Sequence, residues 1–192
     1  PGMEGGRAVA DVLFGDASPA GRLPLTFPES LDQLPPFDDY NMTGRTYRYM
    51  TADPLFPFGF GLSYTTFAYS DLQTTPLTVD GFNASVTVTN SGAVAADEVV
   101  QFYVSALEST LPAPLSQLVG FQRVHLEPGQ SLTVSTLITP EMLMLYDENG
   151  QQVLETGKFR LTVGGCSPSA RGQALGAAAP VTAEFEIREA AR

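Results

Sequence analysis

Phe82-Asn83-Ala84-Ser85-Val86-Thr87-Val88-Thr89 carries an apolar residue at every second position and a polar one between. Successive side chains of an extended chain point to opposite faces. This spacing therefore turns Phe82, Ala84, Val86 and Val88 inward and Asn83, Ser85, Thr87 and Thr89 toward water. The same period recurs along the chain. Val100, Phe102 and Val104 alternate with Val99, Gln101 and Tyr103, and Leu132, Val134 and Ile138 share a face, as do Phe159, Leu161 and Val163. Val181, Ala183, Phe185 and Ile187 face away from Thr182, Glu184, Glu186 and Arg188.

Turn-forming clusters separate these runs: Asp80-Gly81, Asn90-Ser91-Gly92, Glu127-Pro128-Gly129 and Glu148-Asn149-Gly150. About seven strands at this spacing predict a β-sandwich of immunoglobulin or fibronectin type III architecture. Thr139 and Pro140 interrupt the pattern as N-cap and first residue of a single helical turn.

Residues 1–66 read differently. Ala8, Val9, Val12 and Leu13 have helical spacing within a helix expected over Met3 to Phe14, ending near Gly15-Asp16. Arg22 to Phe27 reads as a short strand that Pro24 confines to an edge or a bulge. From Pro28 to Gly61 the chain is rich in Pro, Asp and aromatic residues without a sustained period. One amphipathic helix and one edge strand do not bury their apolar faces alone. This third therefore reads as the edge of a larger α/β domain, with no partner for its apolar faces expected within the chain.

The 192 residues are 43% hydrophobic, enough for a packed core, and carry a net charge of −11. Residues 1–66 hold 8 acidic and 4 basic groups and residues 67–192 hold 13 and 6, so the acidity is spread evenly as a solvated surface. Such a surface repels nucleic acid and anionic membranes, and no apolar run approaches the ~20 residues of a membrane span. The start at Pro1-Gly2 lacks a basic-then-apolar leader, so a fragment is expected, with any export signal upstream.

Three stretches in order resemble the C-terminal part of glycoside hydrolase family 3. Pro1-Gly2-Met3-Glu4-Gly5-Gly6, Ala10-Asp11-Val12-Leu13-Phe14-Gly15-Asp16 and Gly21-Arg22-Leu23-Pro24-Leu25-Thr26-Phe27-Pro28 are similar to the end of its α/β sandwich domain. Pro54-Leu55-Phe56-Pro57-Phe58-Gly59-Phe60-Gly61-Leu62-Ser63-Tyr64 resembles the approach to its fibronectin type III-like domain. Glu98-Val99-Val100-Gln101-Phe102-Tyr103-Val104, Leu118-Val119-Gly120-Phe121 and Leu145-Tyr146-Asp147 resemble that domain's strands. Gln117 departs from the pattern, standing where the family usually has a basic residue. The resemblance implies residues 1–62 as the α/β remnant plus linker and residues 63–192 as the fibronectin-like domain. It implies an exo-acting, retaining β-glycosidase as the whole protein, with β-linked oligosaccharides or glycosides as substrates. Neither the nucleophile nor the acid/base residue of the family maps onto this chain, and the upstream domains become its expected partners.

The residues agree with that division of labour. A retaining glycosidase needs two carboxylates about 5–5.5 Å apart. Asp38-Asp39 is the one adjacent pair in the aromatic-rich segment, yet neighbours in an extended chain point opposite ways and read as a solvated loop pair. His125 is the only histidine and alternates outward beside Val124 and Leu126; Cys166 is the only cysteine. No disulfide, metal site or cofactor is expected from them. Gly2 to Gly6 lacks the Lys-Ser/Thr ending of a phosphate cradle, and Asn41-Met42-Thr43 and Asn83-Ala84-Ser85 match a glycosylation triplet with a high chance rate.

Gly44-Arg45-Thr46-Tyr47-Arg48-Tyr49 is similar to the β-xylosidase-like branch of the family. In extended chain it puts Arg45, Tyr47 and Tyr49 on one side and Thr46 and Arg48 on the other. Arg45, Tyr47 and Arg48 are the candidate sugar-contacting residues; the same side chains would also tie the linker to its neighbour through Arg hydrogen bonds and cation–π contacts. The alternative function is a stand-alone fibronectin-like module binding carbohydrate or protein. The helix-and-strand stub separates the two, since a free module has no use for it.

Overall fold

The computed structural model describes residues 2–188. Helix α1 spans Gly5–Phe14, two residues shorter at its start than the expectation. It stops where expected: Gly15 is left-handed at φ +86° and donates its N–H to the Val12 carbonyl. Glycine adopts that conformation without the Cβ clash other residues meet.

The strand expected over Arg22 to Phe27 forms only as a narrow pairing with residues 56–60. Leu23 N–H donates to the Phe60 carbonyl at 2.9 Å, Gly59 N–H to Leu23 at 2.8 Å, and Phe27 N–H to Phe56 at 2.9 Å. Pro24 has no N–H to extend the ladder, so a single bridge, Phe27 with Phe56, is all that remains of it.

The extended alternation expected across Arg45 to Tyr49 is replaced by one helical turn, α2 (Thr46–Tyr49). Gly44 at φ +74° and Thr46 at φ +55° turn the chain into it. The left-handed region is unusual for a β-branched residue. Arg45 holds the turn from outside, donating to the backbone carbonyls of Asn41, Pro36 and Asp39 at 3.1, 3.2 and 2.5 Å.

The rest is a two-sheet sandwich. Its strands are β1 (Phe67–Thr74), β2 (Phe82–Asn90), β3 (Ala96–Ala106), β4 (Gln117–Leu126), β5 (Ser131–Ile138), β8 (Gly157–Gly164) and β9 (Val181–Ile187). One sheet runs β1-β2-β5 and the other β4-β3-β8-β9, all pairs antiparallel. Strands β6 (Leu145–Tyr146) and β7 (Gln152–Val153) form a separate small ribbon. The interrupted turn is a 3-10 helix over Pro140–Leu143, and a five-residue helix α3 (Ala170–Ala174) follows β8.

The alternation lands as read. Ala84, Val86, Val88, Val100, Phe102, Leu161 and Val163 are fully shielded from solvent. Phe185 is half-buried against that core, its ring 4.7 Å from Phe82 and 5.5 Å from Phe159. Leu132 keeps the inward parity of Val134 but is 40% exposed, because it lies in the uncovered opening residues of edge strand β5. The larger departure is on β3, where the outward-parity residues Gln101 and Tyr103 are buried too. Something covers the outer face of that sheet.

At the N-terminal end of the sandwich Asn90 is wholly buried and makes four hydrogen bonds. Its amide donates to the Val94 and Leu126 carbonyls, and its oxygen accepts from the Thr65 hydroxyl and the Gly92 N–H. Burial of an amide is tolerated only with such partners.

Phe102→Ala should destabilise the sandwich by about 3–5 kcal/mol through lost transfer energy and the cavity left behind. Chemical denaturation measures it; a loss under about half a kilocalorie would remove Phe102 from the core.

Candidate functional site

The cover on β3 is the linker. Gly59 lies over Gln101, whose side-chain amide donates to the Gly59 carbonyl at 3.1 Å and to the Gly165 carbonyl at 2.6 Å. The Tyr103 hydroxyl donates to the Gln101 side-chain oxygen at 2.5 Å, completing the amide's partners. Gly59 sits at φ +77°, and a Cβ there would stand 2.1 Å from the Gln101 oxygen. Only glycine meets both conditions.

Aromatic packing extends the contact. Tyr47 stacks on Phe58 with centroids 4.4 Å apart and meets Tyr103 edge-on at 5.9 Å. Its hydroxyl accepts from the Leu118 N–H at 3.1 Å. Arg48 donates to the Gln117 side-chain oxygen at 2.8 Å, and its carbonyl accepts from Leu115 N–H. A basic residue at position 117 would face Arg48 with like charge, so the departure at Gln117 has a partner here. Ser167 N–H donates to the Phe58 carbonyl at 2.9 Å.

Arg22 adds the one buried ion pair among the described residues. Its guanidinium donates to Glu98 at 2.9 Å with the two side chains 10% and 6% exposed. Glu98 shares the inward parity of Val100 and Phe102, and its oxygen also accepts the Val99 N–H at 2.7 Å. Burial raises its pKa above the usual carboxylate value, with Arg22 pulling the other way. Burial likewise lifts the neighbouring Tyr69 phenol and pushes the Cys166 thiol up to about 11. Cys166 is thus held as an unreactive thiol.

The three candidate residues Arg45, Tyr47 and Arg48 therefore lie together on one helical turn, each in contact with protein groups. Asp38 and Asp39 lie apart from this seam. Asp39 accepts from the Asn41 N–H at 2.9 Å and its side-chain amide at 2.8 Å, which lowers its pKa. A general acid needs the opposite shift. Among the described residues no cluster of three or more His, Cys, Asp or Glu side chains is placed to hold a metal.

His125 stands exposed on β4, its Nδ1 2.6 Å from the Asp97 carboxylate and its Nε2 3.6 Å from Glu127. The hydrogen bond to Asp97 raises the imidazole's pKa, and the same bond lowers that of Asp97.

Gln101 and Gly59 were missed as functional residues by the alternation. The available signal was the polar residue in Val99-Val100-Gln101-Phe102-Tyr103, where both faces of the strand are otherwise large and apolar or aromatic.

The opposite surface of the N-terminal segment is open. Helix α1 has no buried residue, and Met3, Leu13, Phe14, Leu31, Phe37 and Tyr40 are more than 70% exposed. Isolated apolar side chains at a surface are common; contiguous ones mark interaction faces.

Residues 1–64 match the family model described as glycosyl hydrolase family 3 C-terminal domain, and residues 98–167 match that of the fibronectin type III-like domain. A xylan 1,4-β-xylosidase of Xylanibacter ruminicola is 43% identical over 167 residues, covering 85% of this chain and 19% of that protein. A periplasmic β-glucosidase of Salmonella typhimurium is 41% identical over 178 residues, covering 85% and 23%. Among solved structures, a β-glucosidase of Bifidobacterium adolescentis superposes with TM-score 0.81 at 29% identity, covering 96% of this chain and 28% of that one. The chain thus spans about a fifth of the length of these curated relatives.

Gly59→Ala should lift the linker from β3, since both the Cβ clash and the positive φ oppose it. Hydrogen exchange should show the Gly59 and Leu23 amides losing protection while β2 and β8 keep theirs; unchanged protection at Leu23 would mean the seam does not depend on Gly59. Arg22→Ala leaves Glu98 buried and unpaired and should cost about 3–5 kcal/mol. The His125 pair gives a pH signature. A raised imidazole contributes stability that is full below 6.5 and fades as pH rises through the raised value, while a lowered Asp97 contributes stability lost as pH falls below 3.8. His125→Asn should flatten the stability profile on the alkaline side and lessen the loss on the acid side, where Arg123 alone then holds Asp97, as read by thermal melts across pH.

Proposed function

The chain belongs to glycoside hydrolase family 3, and from that premise we propose that it is the C-terminal supporting part of an exo-acting, retaining β-glycosidase. Its substrates would be β-xylosides or β-glucosides, the two activities carried in the names of its relatives. The observation that carries the reading is the two-sided character of residues 2–61. One side is bonded into the sandwich through Gln101, Glu98 and Tyr103, and the other presents unburied Leu13, Phe14 and Phe37. A segment so built joins the sandwich rigidly to a body beyond it.

In this reading residues 1–62 complete the α/β domain and residues 63–192 form the fibronectin-like one. The nucleophile and the acid/base residue come from upstream domains, which cover the open face of α1. A stand-alone binding module has no use for that face, which favours the enzyme part over the module. Arg45, Tyr47 and Arg48 serve first to fix the linker in place.

The isolated chain should not hydrolyse aryl β-glucosides or β-xylosides. Supplying the upstream domains as a separate polypeptide should bring activity and slow amide exchange in α1. Turnover by the isolated chain that Asp38→Asn or Asp39→Asn abolishes would overturn the proposal. Slow exchange throughout α1 without the upstream domains would do so too.

A further inference from the structure

A cavity lies beside Tyr47, between the linker and the loop that follows β8. Its volume is about 330 Å³, within the range of small-molecule sites and large enough for one or two sugar rings. Its floor is made by Pro54, Pro57, Ser116 and Ser167, all buried, and exposed Thr51, Asp53, Pro168 and Ala170 stand at its rim.

The floor has a chemical peculiarity. Ser116 and Ser167 are 4% and 3% exposed, yet neither hydroxyl is hydrogen-bonded to another described residue. Neither is closed off from solvent, so both are open to the cavity. Thr26 lines the same space, and its hydroxyl is buried without a partner. Buried hydroxyls in native proteins nearly always have partners. The two serine hydroxyls are free to bond whatever enters the cavity, whereas the Thr26 hydroxyl lies closed off behind its wall.

The lining states what that something is. Hydroxyls both donate and accept, which suits a ligand whose own groups are hydroxyls. Asp53 is the only charged residue in the lining, and with a chain charge of −11 an anion is disfavoured. Pro54, Pro57 and Pro168 supply flat C–H surface beside the hydroxyls, as the apolar face of a pyranose requires. We propose that this cavity, between the linker and the β8–α3 loop, is a non-catalytic binding site for a neutral pyranose sugar. Ser116 and Ser167 hold the ring's hydroxyls against a proline floor, and Tyr47 forms the wall shared with the linker. The site deepens the glycosidase reading, since it would hold a sugar unit on the supporting part of the enzyme, and it needs no hydrolysis to be observed.

The test is amide chemical-shift titration of the 192-residue chain with D-xylose, D-glucose and xylobiose. Saturable shifts are expected at Thr26, Ser116, Ser167 and Tyr47, with a Kd of about 1–10 mM, typical of a few hydroxyl contacts at a small site. Ser116→Ala with Ser167→Ala should weaken binding by about tenfold, the equivalent of one hydrogen bond in affinity. Should that double variant fail to fold, Ala170→Leu fills the cavity from an exposed rim position and should abolish the shifts with the melting temperature unchanged. Absence of saturable shifts with all three sugars overturns the proposal, as do shifts that survive Ala170→Leu. Binding without hydrolysis by this chain supports the site; a failure of the upstream domains to restore activity counts against the glycosidase reading alone.

Discussion

One side-chain amide holds the two unlike parts of this chain together. Gln101 stands in the middle of β3 on the face that alternation turns to water, and it is 2% exposed. It bears three bonds at once: to the Gly59 carbonyl, to the Gly165 carbonyl and from the Tyr103 hydroxyl. A buried amide with any of these missing would carry the cost of an unpaired polar group in a low-dielectric place. The linker therefore has one position on the sheet, and Gly59 has no alternative residue there. From that point Phe58 is placed to stack on Tyr47, and the helical turn carrying Tyr47 is placed over Leu118.

Alternation made the sandwich legible because most of its strands have one wet and one dry face. Val86, Val88, Leu161 and Val163 lie where period two puts them. Period two fails where a third layer covers the sheet, since it assigns faces only as inward or solvated. Tyr103 was assigned outward and is fully buried because the linker arrives from some forty residues upstream. The Arg45–Tyr49 segment failed for a different reason. Two Arg and two Tyr in alternation fit a strand, but Gly44 and Thr46 in left-handed conformation bend the backbone into a turn first. Local spelling carried the family resemblance there without carrying the conformation.

The expectation that residues 1–62 lack any partner within the chain holds for only one of their surfaces. Residues 54–60 hold buried positions at Pro54, Pro57, Gly59 and Phe60, whereas α1 buries none. The contrast follows from where polar backbone is satisfied. Leu23, Phe27, Phe56 and Gly59 exchange hydrogen bonds with one another over the sandwich. Helix α1 satisfies its own backbone and contributes an outer apolar stripe for which hydrogen bonding creates no demand. Its exposed side chains can be covered only by another body.

The two neighbouring acidic groups of β3 are both committed to structural contacts. Neighbours Asp97 and Glu98 point to opposite faces of β3 and are displaced in opposite directions. Hydrogen bonds from His125 and Arg123 lower Asp97, and burial raises Glu98. Of the carboxyl groups whose acidity is clearly displaced, Glu98 alone moves up, the direction a general acid requires. Yet the same Glu98 oxygen is held by Arg22 at 2.9 Å and by the Val99 N–H at 2.7 Å. A proton placed there breaks an ion pair that joins the N-terminal segment to the sandwich. A carboxyl whose protonation loosens the fold is committed to holding it, and the second carboxylate that retaining hydrolysis demands has no counterpart beside it in the seam.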